Sequence, residues 1–156
     1  MRIGQGFDVH AFSDDPSRAL IIGGVVIPGA TGLIGHSDAD VATHALIDAV
    51  LGAAGLGDIG RHFPDTDPEH RGANSLVMLA VVIELAAGQG LRISSGDITV
   101  IAQVPRLSPY LDRMAQVLTD AVGAPISVKA TTTEHLGAIG RSEGIAAMSV
   151  VLLEAL

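Results

Sequence analysis

A chain of 156 residues with 48% hydrophobic content has room for one domain with a substantial core, and at 3% aromatic residues that core must be built from Ala, Val, Ile and Leu. Lys and Arg number 9 against 17 Asp and Glu, a net charge of −8, which argues against a general nucleic-acid binder. There is no cysteine, so disulfides, thiolate zinc sites and thiol catalysis are excluded, and any metal must be held by His and carboxylates.

In chain order, residues 2–9 and about 19–27 read as strands joined by the polar loop "SDDPS". In the first, "GFDVHAF" sets Asp8 and His10 on one side of an extended chain. Residues 36–56, "HSDADVATHALIDAVLGAAGL", predict a helix with Ser37 as N-cap and Asp40 completing an Asp variant of the capping box. Apolar Val41, Ala45, Leu46, Ala49 and Val50 then recur at helical spacing, and Gly55 and Gly57 mark the stop. A Gly- and Pro-rich loop follows over 57–72, "GDIGRHFPDTDPEHRG". Next come a helix over 74–87, strands over 92–94 and 97–103, a helix over 108–122, and strands over 126–132 and 145–154. Without repeats or regular βαβ alternation, this predicts one α+β domain over 1–156, a mixed sheet packed on one side by helices. There is no signal core and no uninterrupted apolar run of membrane-spanning length, so a soluble, cytoplasmic protein with no membrane or nucleic-acid partner is expected.

Several polar groups interrupt these apolar elements. Asp40, His44 and Asp48 share one face of the first helix, either as a solvated face or as a functional one. Asp8, His10 and His44 would offer one oxygen and two nitrogens with a fourth tetrahedral position open, the pattern of a catalytic zinc. Asp48 is then placed to orient the His44 ring, and Asp40 competes as a ligand. His36 and Ser37 lie where a helix N-terminus favours an anion, although Ser37 serves equally as a cap. Asp58, Asp65 and Asp67 sit in one glycine-bounded loop, as turn formers or binding residues. In "KATTTEHLG" three threonine hydroxyls precede Glu134, a hard oxygen ligand suited to magnesium, beside the single lysine, Lys129.

Together, "GFDVHAF", "HSDADVATHALIDAVLGAAGLGDIG", "FPDTDP", "IAQVPRLSPYL" and "VKATTTEHLGAIGRSEGI" resemble the 2-C-methyl-D-erythritol 2,4-cyclodiphosphate synthases over essentially the whole chain, in that family's order and spacing. The resemblance implies zinc on Asp8, His10 and His44, one ion per chain, with Val9 beside them in the substrate site. It implies that His36 and Thr132 stabilise the transition state, that Ser37 contacts substrate, and that Glu134 binds magnesium or manganese on the substrate diphosphate. Asp58, Ile59 and Gly60, with Phe63, Pro64, Asp65, Thr66 and Asp67, are expected around the methylerythritol phosphate. Ala102, Gln103, Val104, Pro105, Arg106, Leu107 and Ser108 are expected to form a cytidine pocket, and Thr131, Thr133 and Arg141 complete the implied substrate-facing set. The implied activity is attack of the substrate's 2-phosphate on its β-phosphorus with loss of CMP, classed as a phosphorus–oxygen lyase of the non-mevalonate isoprenoid pathway.

The resemblance further implies a homotrimer with each active site at a subunit junction, and an apolar cavity on the threefold axis ringed by Arg141. Ala138 stands where some members carry Phe, Arg106 replaces a frequent lysine, and Gln5 and His135 also depart from commoner choices. A wider cavity at Ala138 suits an isoprenoid diphosphate, with Glu143 holding Arg141 when the cavity is empty. Two other classes remain open at the sequence level: a zinc-dependent phosphohydrolase in which water attacks, and a non-catalytic metal- or isoprenoid-binding module.

Overall fold

The computed structural model describes residues 1–67 and 72–156; the end of the loop read at 57–72, residues 68–71, lies outside the described residues. Strand β1 (Arg2–Ala11) is followed by the hairpin β2 (Leu20–Ile22) and β3 (Val25–Ile27), then α1 (Val41–Ala54), α2 (Ile59–His62) and α3 (Ser75–Gly88). The chain continues through β4 (Leu91–Ile101), α4 (Leu111–Val122), β5 (Ile126–Thr131), α5 (Gly137–Gly140) and β6 (Gly144–Ala155). One sheet runs in the order β1-β6-β4-β5, antiparallel except for the β4–β5 pair. The mixed sheet with helices on one side is the α+β architecture that the sequence predicts.

Period-two alternation in β1 gives its two faces different work. Gly4 and Gly6 face α1, where an added Cβ would lie 1.8 and 1.9 Å from the carbonyl oxygens of Ala49 and Ala45. Only glycine lets strand and helix approach this closely. Asp8 and His10 continue on that same side and so emerge against the first turn of α1. Ile3, Phe7 and Val9 alternate onto the opposite, exposed face.

Helix α1 is buried at every position except Asp48 and Gly52, the signature of a helix enclosed on all sides. It begins at Val41 rather than near 36, because Ala39 takes a left-handed φ of 57° that no helix can include. Asp40 is therefore the N-cap, accepting from the Thr43 amide, and Ser37 is not. The Asp40 carboxylate also accepts from the amides of Gly23 and Gly24 at 2.8 and 2.7 Å. Those glycines turn the 19–27 segment into a hairpin with φ of 57° and 72°, so the single predicted strand is two. Asp40 is consumed by this structural duty and is no metal ligand.

The strands predicted at 92–94 and 97–103 are one strand whose register shifts between Ile93 and Ser95, a bulge rather than a break. The four-residue helices α2 and α5 lie in segments the sequence leaves as loops. Among the described residues, the largest fully buried side chains are all Leu, Ile or Met, the aliphatic core the composition requires. Burying each is worth roughly 1.5–3 kcal/mol against exposure.

Candidate active site

At the end of β1 and the start of α1, three ligand atoms converge. His10 Nε2 lies 2.9 Å and His44 Nδ1 lies 3.1 Å from Asp8 Oδ2, and the two ring nitrogens are 3.3 Å apart. Ligands about 2.0–2.1 Å from one tetrahedral ion stand roughly 3.3 Å from each other, so this near-equilateral triangle fits a four-coordinate cation. Asp8, His10 and His44 are the one group among the described residues that gathers three such donors.

The rings are aimed by their far nitrogens. His10 Nδ1 is 2.6 Å from the Ile34 carbonyl oxygen, which can only accept; Nδ1 must carry the proton, leaving the Nε2 lone pair turned to the triangle. His44 Nε2 faces the hydroxyls of Ser75 at 2.9 Å and Ser37 at 3.1 Å. Burial acts to raise the Asp8 carboxyl, but hydrogen bonds and charge from His10 and His44 outweigh it and hold Asp8 far below the usual carboxylate range. For His10, burial is again the largest influence and acts to lower it; the Asp8 partnership and the Ile34 carbonyl prevail and leave it raised. Asp8 is thus held as a carboxylate between two imidazoles, and a cation entering the triangle would meet three atoms already in place.

Asp48 does not orient His44. Its Oδ1 accepts from the Ile59 amide at 2.7 Å and anchors α2, whose own N-cap is Asp58. That anchor places Ile59, Gly60, Phe63 and Asp65 around the triad together with His36 and Ser37, in a cavity of about 320 Å³. Thr66 is exposed at the rim of this loop, and Asp67 closes a turn onto the Pro64 carbonyl. Val9 points its side chain to the opposite sheet face, so only its backbone borders the triad.

A second cavity, of about 340 Å³, is lined by Ala102, Gln103, Val104, Pro105, Arg106, Leu107, Thr131 and Thr132, and Ser108 hydrogen-bonds to Arg106 beside it. Residues 102–107 therefore line one concave surface together with the end of β5. Beyond it, the Thr132 hydroxyl donates to Glu134 Oε1 at 2.8 Å, and Thr133 donates to the Leu136 carbonyl. Glu134 and His135 both hold left-handed φ, 51° and 64°, a strained pair for residues with side chains. Within one chain, the two cavities share no lining residue. Arg141 is exposed and paired with Glu143 at 2.6 Å, and Ala138 is exposed on α5.

Three contributors escape sequence reasoning. Arg18 donates to the carbonyls of Leu33, Gly35 and Ser37, clamping the segment that carries His36 and presents the Ile34 carbonyl to His10. Asp38 and Ser75 meet behind His44. Nothing in local spacing links positions so far apart; the only hint for Arg18 is a cation isolated in an acidic loop.

The profile of the YgbB family matches residues 1–154. The chain is 57% identical over 156 residues to the 2-C-methyl-D-erythritol 2,4-cyclodiphosphate synthase of Geobacillus kaustophilus, covering 98% of each chain. To the enzyme of the same name from Syntrophobacter fumaroxidans it is 55% identical, over 98% of this chain and 97% of that one. Among solved structures it superposes on the bifunctional IspDF of Campylobacter jejuni with a TM-score of 0.94 and 44% identity, spanning 99% of this chain and 42% of that longer one. It also matches the IspF–CDP complex of Plasmodium falciparum, with a TM-score of 0.85, 35% identity, and coverage of 99% and 96%.

Proposed function

The chain belongs to the YgbB family of 2-C-methyl-D-erythritol 2,4-cyclodiphosphate synthases, and from that membership we propose which of its residues carry the reaction and how. It converts 4-diphosphocytidyl-2-C-methyl-D-erythritol 2-phosphate to the 2,4-cyclodiphosphate in isoprenoid biosynthesis. An oxygen of the 2-phosphate bonds to the β-phosphorus, the bond from that phosphorus to the bridging oxygen breaks, and the electron pair leaves on CMP. No water is added, which makes the enzyme a phosphorus–oxygen lyase.

The observation that carries the site assignment is the triangle of Asp8, His10 and His44 opening into the cavity lined by His36, Ser37, Phe63 and Asp65. These three residues hold zinc, and Glu134 offers its carboxylate to magnesium or manganese. When bound, the cations supply Lewis-acid polarisation and neutralise the phosphates that must meet. The chain's own part is positioning and electrostatics, which dominate phosphoryl transfer. His36 and the Thr132 hydroxyl donate to phosphate oxygens as charge shifts toward the leaving group. Ser37, Asp58 to Gly60 and Phe63 to Asp67 enclose the methylerythritol phosphate and exclude water. Ala102 to Ser108, with Thr131 and Thr133, receive the cytidine.

Residues 1–156 act as one synthase domain in a cytoplasmic homotrimer. In support, no helix among the described residues is long and apolar enough to cross a membrane. The sheet face opposite the helices exposes Ile3, Phe7, Val9, Met148 and Val150, an apolar patch that a second copy would cover. The separation of the metal cavity from the nucleotide cavity within one chain supports a site completed by a neighbour. Arg141, ringed about the axis of such a trimer, would take the charge of an isoprenoid diphosphate, with Ala138 leaving room for its tail.

A turnover assay with product identification tests the assignment. Stoichiometric CMP and a cyclic diphosphate are expected; a linear methylerythritol phosphate would mean that water attacks and the protein is a hydrolase.

A further inference from the structure

We infer that Asp38 and Ser75 are positioning residues for the metal site: they fix the proton of His44 on Nε2 and so aim its Nδ1 lone pair at the metal position. The inference rests on reading Asp8, His10 and His44 as a metal site, and goes beyond it to the groups that set ligand geometry.

The argument is one of forced donors and acceptors. The Ser75 hydroxyl makes a short hydrogen bond to Asp38 Oδ1, and an ionised carboxylate can only accept. The hydroxyl proton is therefore committed to Asp38, and the face of Oγ turned to His44 is a lone pair. His44 Nε2, 2.9 Å away, must supply the proton. With Nε2 protonated, Nδ1 is the basic nitrogen, and it is the one that lies 3.1 Å from Asp8 Oδ2. Ser37 Oγ, 3.1 Å from the same nitrogen, accepts from the Ala39 amide and keeps a second lone pair, so it can share the Nε2 proton, whereas a bare Nε2 would face the nearer lone pair of Ser75.

Burial gives the arrangement weight. Ser75 is fully buried and His44 is 7% exposed, so water cannot substitute for either partner. Asp38 is itself fixed: its other oxygen accepts from the Ser75 amide at 3.0 Å, its Oδ1 from the Asp40 amide, and its own amide donates to the Ala73 carbonyl. Two segments that approach only in the tertiary fold, the entry to α1 and the first residue of α3, thus set one imidazole.

The test measures zinc affinity by chelator competition, with thermal unfolding of the zinc-free protein in parallel. Ser75→Ala and Asp38→Asn are each expected to weaken zinc binding about 10- to 100-fold. Both should leave turnover largely restored when zinc is saturating, and cobalt substituted for zinc should show altered ligand-field absorption. His44→Ala is the separate control on the metal site. If it binds zinc like the unmutated protein, the metal reading itself falls. If it loses zinc while Ser75→Ala and Asp38→Asn keep parental affinity, only the positioning role falls. Independently of any variant's folding, nitrogen-15 NMR of the unmutated zinc-loaded protein should show a slowly exchanging His44 Nε2 proton. A rapidly exchanging one would overturn the inference.

Discussion

The triad end and the threonine end of this chain carry comparable chemistry but are held in opposite ways. Asp8, His10 and His44 sit on a strand and an enclosed helix locked together by Gly4 and Gly6, and each ring has a partner on its far side. Thr131 ends β5 and Thr132 and Glu134 lie just beyond it, all three exposed, with Thr132 and Glu134 bonded to each other. The first region gathers its three donor atoms within a single chain. The second has strained backbone at Glu134 and His135 and little burial.

Removing a triad ligand should have the largest effect. His44→Ala is expected to abolish stoichiometric zinc by elemental analysis and to lower kcat about 1000-fold, the loss of several kcal/mol of charge stabilisation. Glu134→Gln should instead retain zinc and lose activity about 10- to 100-fold, with partial recovery at high magnesium or manganese. Refolding the two inactive variants together sharpens the contrast: if junctions join the regions of different chains, about a quarter of parental activity should return. No recovery, with mixed trimers demonstrated by mass, would place both regions of each site in one chain.

Gly6→Ala probes the lock between strand and helix. A Cβ 1.9 Å from the Ala45 carbonyl oxygen forces β1 from α1, at a cost of about 2–3 kcal/mol. Thermal unfolding should fall by roughly 5–10 °C, and zinc affinity should fall with it, since Asp8 and His10 leave on the same strand. An unchanged melting point would show that the approach is not tight.

The smallest effect is expected at Lys129, the single lysine of the chain. Its exposed ion pair with Asp97 crosses from β5 to β4 and holds Asp97 below its ordinary value, helped by Ser127. Exposed pairs contribute under about 1 kcal/mol. Lys129→Ala should accordingly shift the urea midpoint only slightly, and less still in high salt. A large shift would mean that β5 is a more rigid platform for the threonines than its exposure suggests.

The sequence by itself determined the aliphatic core, the two-faced first strand, the family resemblance, and the pairing of Asp8 with His10, because periodicity and composition act within a few residues. Residues 102–107 and the threonines are continuous segments in the sequence, and in the fold residues 102–107, Thr131 and Thr132 line one cavity. Tertiary structure alone decided the rest. Where α1 starts depended on Asp40 capping a helix and a distant hairpin at once, a choice the competing Ser37 obscured. Asp48 looked placed to hold His44 because helical spacing is visible, whereas the partner in the structure is Ser75, 31 residues away. Arg18 acquired its role only when the loop at 33–37 folded back over it. Spacing reveals which side chains share a face, but the hydrogen-bond partners of a buried imidazole are set by which segments pack against it, and those contacts are long-range.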